Sequence, residues 1–194
     1  MTSTRSADNA LILTDVFGHY ADVGTALPTD TTTDLPAGWT EFGWLDPTGF
    51  SETPTGSVTD LKGVNGATLA QIKDGDGWEF DMVCLESIAA TDSILYAAST
   101  PATVGSVTTT QVKAATAPRP KAWCFTLTYS NGVSRRVALS KGNGSVTGAI
   151  QNVYNDFRKI PLKVAAIQDS NAVLFTNIAD TSDESSSSSS SSPS

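Results

Sequence analysis

His19 is the single histidine among 194 residues, so any Ser-His-Asp or histidine-ligated metal chemistry would have to run through it. It stands alone in a Thr- and Asp-rich segment, and no Gly-x-Ser-x-Gly elbow is present to supply a nucleophile. Asp74-Gly-Asp76-Gly77 has the form of the start of a calcium loop. Trp78 and Leu85 then stand where later oxygen ligands are required, so a hairpin turn is the better reading. Gly142, Gly144 and Gly148 are spaced wrongly for a dinucleotide loop, and no helix clearly follows them. Asn143-Gly-Ser145 matches a glycosylation sequon, but the start Met1-Thr-Ser-Thr-Arg5 has no continuous apolar stretch and no secretory signal is expected. Cys84 and Cys124 lack companions at ligand spacing and read as reduced, buried, small apolar residues; a disulfide stays open. No catalytic constellation, metal site or cofactor is expected.

A basic group remains. Arg119, Lys121, Arg135, Arg136 and Lys141 could form a patch, with Trp123 or Tyr129 available to stack on bases. The sequence pI near 4.4 opposes phosphate binding, and the rings fit a sheet core better. The charges are unevenly placed. Residues 1–92 hold fifteen acids and three bases, a net of −12, whereas 93–194 hold five acids and nine bases, a net of +4. Such a two-signed chain can attract copies of itself, or the charges can simply be solvated and intermixed by folding.

The length suits one domain, and the 39% hydrophobic content is enough for a core. No run of about 18 apolar residues occurs, so no membrane span is expected. Abundant Ser, Thr and Gly favour strands and turns. Residues 1–50 read as an arm, with Leu27, Pro28, Trp39, Phe42 and Trp44 strung through Thr, Asp, Pro and Gly. Residues 51–179 read as the folded domain, and 180–194, with its eight consecutive serines, as a disordered tail. A hairpin is expected from Ala67–Ile72 and Trp78–Leu85 around the turn at Asp74–Gly77. In its second strand Trp78, Phe80, Met82 and Cys84 share one face, while Glu79 and Asp81 share the other. Thr91-Asp92 caps one short helix, Ser93–Ala98. Further strands are expected over Val104–Val112, Lys121–Tyr129 and Val133–Leu139, the last two joined by Asn131-Gly132. Gly142-Asn-Gly144 turns the chain, and Val153–Phe157 is either a strand or a helical turn. Pro161–Gln168 and Ala172–Ile178 make a closing hairpin. The fold class is mainly β: a β-sandwich or barrel with one short α-helix and an extended N-terminal arm.

Thr25-Ala-Leu-Pro-Thr-Asp30, Trp39-x-x-Phe-Gly-Trp-Leu45, Asp60-Leu-Lys-Gly63, the Glu79–Glu86 strand, the helix after Thr91 and the hairpin at Asp169 follow in an order that resembles the siphophage major tail proteins, the subunits of the tail tube. The resemblance covers most of residues 20–178. Val64 departs from it, where many relatives place an aromatic, as does the polyserine end, where some carry an immunoglobulin-like domain.

The resemblance implies a homo-hexameric ring stacked into a tube through which phage DNA leaves the capsid. It implies a place in the virion tail after assembly in the host bacterial cytoplasm. The tape measure protein, tail terminator and distal tail protein are the further partners it implies, and double-stranded DNA would pass without specific binding. On this reading Leu27, Pro28, Trp39, Phe42 and Trp44 dock on a neighbouring subunit. Glu79 and Asp81 are the lumen candidates, with an outer solvated face as the alternative for both. Arg119, Lys121, Arg135 and Arg136 form a basic surface that meets the acidic arm between rings, so assembly should weaken with salt. The alternative function is a capsid-decorating or host-binding immunoglobulin-like module.

Overall fold

A computed structural model of the chain describes residues 12–62, 64, 67–86, 102–109 and 120–179. Their strands are β1 (Leu13–Asp22), β2 (Thr40–Lys62), β3 (Thr68–Cys84), β4 (Ala102–Val104), β5 (Val107–Thr109), β6 (Lys121–Tyr129), β7 (Ser134–Val146), β8 (Ile160–Ala166) and β9 (Thr176–Ala179). The protein is thus mainly β, as expected. The expected helix at Ser93–Ala98 and the serine-rich tail lie outside the described residues.

Every strand pairing among the described residues is antiparallel, and six strands close on themselves in the order β1-β2-β3-β8-β7-β6 and back to β1. β9 adds to β7. The closure depends on β7 changing partners along its length. Its first half, Ser134–Gly142, pairs with β6, and its second half, Gly142–Val146, pairs with β8. Two layers result, with β7 passing from one to the other, as strands do at the corners of sandwiches. Gly142 sits at the crossing. A Cβ there would lie 3.1 Å from both Trp123 Cδ1 and Val164 Cγ1. Trp123 Nε1 also donates to the Gly142 carbonyl at 3.0 Å, so the indole pins the bend it packs against.

The alternating residues fill the space between the layers. Phe80, Met82 and Cys84 of β3, Trp123, Phe125 and Leu127 of β6, Val137 and Leu139 of β7, and Ile160, Leu162 and Val164 of β8 are all buried. Each large side chain removed from water contributes about 1.5–3 kcal/mol, and this set is the main source of stability. Ring contacts link the layers: Phe80 stacks on Phe125 at 5.8 Å, and Phe42 meets Trp123 edge-on at 6.0 Å.

Four sequence expectations change. Residues 13–22 and 40–50, counted with the arm, are barrel strands, and among the described residues 12 and 23–39 run outside them. The hairpin turn falls between Lys62 and Thr68, not at Asp74–Gly77. There, Thr55 pairs with Gly77 and Ser57 with Asp74, so β3 carries one extra residue. This is a β-bulge, and Gly75 accommodates it at φ +71°. Gly142–Gly144 stays within β7 because pairing with β8 carries the strand onward. Finally, β8 and β9 do not form a hairpin with each other: among the described residues β8 joins β3 and β7, while β9 joins β7.

Candidate functional site, an assembly surface

Arg136 organises the segment 23–39. Val137 and Leu139 of β7 enter the core, so Arg136 points to the opposite face, where it is nonetheless buried. Its Nη1 donates to the carbonyls of Asp30 at 2.9 Å and Thr33 at 2.8 Å. The Asp30 carboxylate in turn accepts the backbone N–H groups of Thr32 and Thr33 at 2.9 and 2.6 Å. The bonds from Thr33 do most to hold the Asp30 carboxyl below its ordinary value, with the Arg136 charge adding to the effect. Pro28 is buried in this segment, and Leu27 and Trp39 are half-buried. The Trp39 indole N–H donates to the Ala26 carbonyl at 3.0 Å. The loop is therefore fastened to its own barrel.

The other expected docking residues diverge. Phe42 lies in the core with no exposed surface, so it is not an exposed anchor. Gly18 makes room for it: a Cβ at Gly18 would stand 1.9 Å from the Phe42 ring. Trp44, two residues on, points outward and is 74% exposed. Regular strand alternation would put both rings on one face. Gly43 between them breaks the alternation, because its φ of +86° re-aims the chain, and Leu45 then enters the core in place of Trp44. Leu13, Val16, Trp44, Leu45, Leu85 and Phe157 line a groove of about 510 Å³. Phe157, which the sequence left ambiguous, lies in the connection between β7 and β8 and is 69% exposed.

The basic residues find acids within the same chain. Arg135 grips Glu52 with two parallel bonds, Nη1 to Oε1 at 2.6 Å and Nη2 to Oε2 at 2.9 Å. Burial alone would lower the Arg135 pKa, but the bonds to Glu52 and its other partners outweigh it and raise the value. Lys121 pairs with Asp22 at 2.5 Å, and Lys159 reaches Asp46 at 3.8 Å. Arg119 lies outside the described residues. The opposite charges of the two halves of the sequence thus meet inside one subunit, where the reading from sequence had them meet between rings.

Glu79 and Asp81 lie on the face of β3 opposite Phe80 and Met82, as their alternation requires. Lys163 of β8 joins them, 2.6 Å from Glu79 and 3.8 Å from Asp81. Its pKa is raised, first by the hydrogen bond to Glu79 and further by the Asp81 charge. Register places Ser51, Asp81, Lys163 and Ser145 in one row, and Thr53, Glu79, Ala165 and Asn143 in the next. A polar four-stranded face results. Among the described residues, β2 from Phe50 to Thr55 pairs on one side only, with β3, and β7 from Asn143 to Val146 pairs on one side only, with β8. Beyond Trp78 the two strands of the β2–β3 hairpin continue with no third strand among the described residues.

No cluster of metal ligands occurs among the described residues, and no helix there is long and apolar enough to cross a membrane. Burial raises the Cys84 thiol to about 12 and the Cys124 thiol to about 11, where neither is a nucleophile at neutral pH.

Among curated proteins, none matches the chain. The family model described as phage tail tube protein matches residues 7–189, nearly the whole sequence. Sheet edges left unpaired among the described residues, a polar sheet face and an overhanging hairpin suit a subunit that joins its copies, and the chain belongs to the phage tail tube protein family, the structural components of a multi-subunit tail tube in the virion.

Proposed function

We propose that six copies of this chain form a ring, that rings stack into a hollow tube, and that phage DNA leaves the capsid through it. The observation that carries the reading is the four-stranded face β2-β3-β8-β7, whose two outer strands each have an edge left unpaired among the described residues. Alternate strands run in opposite directions, so β2 of one copy meets β7 of the next antiparallel, and the alternation continues around the ring. Ring closure removes both edges, each of which would otherwise invite uncontrolled pairing. An even number of strands per subunit makes this closure consistent for any number of copies; the six comes from the family resemblance.

The polar face would line the lumen. Glu79 and Asp81 outnumber Lys163, and both hold its ammonium, so little positive charge is left to grip phosphate. A weakly negative wall repels DNA and lets it slide. Assembly in the host bacterial cytoplasm, and contacts with a tape measure protein, tail terminator and distal tail protein, belong to the same proposal.

Negative-stain electron microscopy of the concentrated protein, with sizing chromatography, tests it. Hollow tubes or six-fold rings are the expected result. A stable monomer that binds a capsid or cell surface would overturn it in favour of a decorating or host-binding module.

A further inference from the structure

The outer face of β1, β6 and β7 carries a second buried layer. Register sets Glu41, His19, Cys124 and Ala138 in one row across β2, β1, β6 and β7, and Phe17, Thr126 and Arg136 in the next. These positions alternate with Trp123, Phe125 and Val137, so they face away from the core. Ala21, Ala122, Cys124 and Ala138 are buried on this outer side all the same. Their cover follows from the path of residues 23–39. The loop leaves β1 at Asp22, is tied to Arg136 on β7, and re-enters the barrel at Thr40 of β2, so it crosses β6 at the level of Cys124. Arg136 fastens it through the Nη1 bonds to the Asp30 and Thr33 carbonyls, with the Asp30 carboxylate 4.0 Å away. Two buried nitrogens of this face, His19 Nδ1 and Arg136 Nε, have no hydrogen-bond partner among the described residues.

We propose that His19 is an acid-operated release for this loop: its protonation loosens the hold of Arg136 on residues 23–39 and bares Cys124 while the barrel stays closed. The imidazolium has two N–H donors, and the one on Nδ1 would join Arg136 Nε–H as a second buried donor without an acceptor. It would also set a second positive charge on the face where Arg136 already sits. Burial disfavours the cation; Glu41 opposes that, and Arg136 adds to it. The titratable and charged groups around His19 are Glu41 from β2, Arg136 from β7, Cys124 from β6, and Asp30 and Asp34 of the loop, which lie with Arg136. Glu41 is exposed, so water screens what it offers the imidazolium. Cys124 is an uncharged thiol at neutral pH, and Asp22 at the end of β1 is engaged by Lys121.

The two cysteines test this within one molecule. Cys84 belongs to the core cluster and reports opening of the barrel, whereas Cys124 lies outside that cluster and reports opening of the loop. Dithiodipyridine, which reacts with thiols in mild acid, is applied to the full chain at about pH 7.5 and about pH 5, and peptide mass spectrometry scores each thiol. This range crosses the ordinary histidine pKa and stays above the range in which Asp30 titrates. The ratio of the Cys124 rate to the Cys84 rate should rise at least roughly tenfold in acid, the change expected when one charged hydrogen bond is lost, and stay flat in His19→Gln. A flat wild-type ratio, an equal rise in His19→Gln, or both thiols opening together would overturn the proposal. Arg136→Met is the second variant, and its ratio should be high already at the higher pH and insensitive to acid. A ratio as low as that of the wild type would overturn the proposal as well, because the loop would then be held without Arg136.

Discussion

Gly18 and Phe42 interlock: the ring of one occupies the space a side chain on the other would need, with an added Cβ 1.9 Å from Phe42 Cζ. β1 and β2 are held together by this contact, because Phe42 then reaches Trp123 and Phe125 on β6. Gly18→Ala must push the ring off Trp123 or separate the strands, at a cost of about 1–3 kcal/mol. Phe42→Ala leaves a cavity and costs about 3–5 kcal/mol. Urea unfolding of both variants checks this, and wild-type stability in either would remove Phe42 from the core.

Arg136 is the fastening of the 23–39 loop. Arg136→Met keeps the length of the side chain and removes both bonds to the Asp30 and Thr33 carbonyls. The expected loss is about 1.5–3 kcal/mol per charged hydrogen bond in gross terms, moderated by the loop's access to water. Chymotrypsin should cut the variant at Trp39 while the wild type resists. Equal resistance would show the loop is held by other contacts.

Acid should weaken the fold in two separate windows. Burial lowers the His19 pKa below 6.5, opposed by Glu41 and assisted by Arg136, and its Nδ1 has no hydrogen-bond partner among the described residues. The unfolded chain therefore takes up the proton first, so stability present above pH 6.5 falls as the pH drops below it. Asp22 and Asp30, both lowered from 3.8, act the same way only below that value. Thermal melts of wild type and His19→Gln from about pH 7.5 to about pH 5 separate the windows. The decline in melting temperature over this range should shrink in the variant, and parallel curves would acquit the histidine.

Both thiols should resist labelling. Cys84 and Cys124 are buried and their pKa values raised, so a disulfide reagent at about pH 8 should react slowly with the folded protein. In denaturant, both should titrate at once. Rapid native labelling of either would mean that its strand opens locally.

The lumen assignment makes a charge prediction. Glu79→Lys with Asp81→Lys removes the partners of Lys163 and turns the polar face positive. Tubes should still form, because neither side chain enters the core, but DNA release should slow by at least roughly tenfold. Release timed on phage carrying the variant subunit is the measurement. An unchanged rate would place this face away from the DNA.

The alternating residues were legible in the sequence. Phe80-x-Met82-x-Cys84 and Trp123-x-Phe125-x-Leu127 declare strands with one buried face, since successive side chains point to opposite sides whatever the neighbours are. Asn131-Gly132 announced its turn, and Gly132 adopts φ +81°. The β2–β3 turn was ambiguous in the sequence. Asp74-Gly-Asp-Gly77 competes as a turn signal with Asn65-Gly66, which lies between β2 and β3, and only the pairing of Thr55 and Ser57 with Gly77 and Asp74 converts the former to a bulge. The length of β2 was equally obscure. Ser51-Glu-Thr-Pro-Thr-Gly56 is polar and contains a proline and a glycine, which argue for a loop unless a partner strand lies alongside.

By itself, then, the sequence determined the class: a β-rich chain whose period-two rows build a core and whose ordered segments mark a tail tube subunit. Those signals are local, or are sums of local signals in order. Tertiary structure alone decided that Phe42 turns inward and Trp44 outward, that Arg136 holds Asp30 within the same chain, and that β7 pairs first with β6 and then with β8. Each of these depends on which strand lies alongside which. That choice is made by closure of the barrel between segments far apart in the chain, and no local window of the sequence contains both partners.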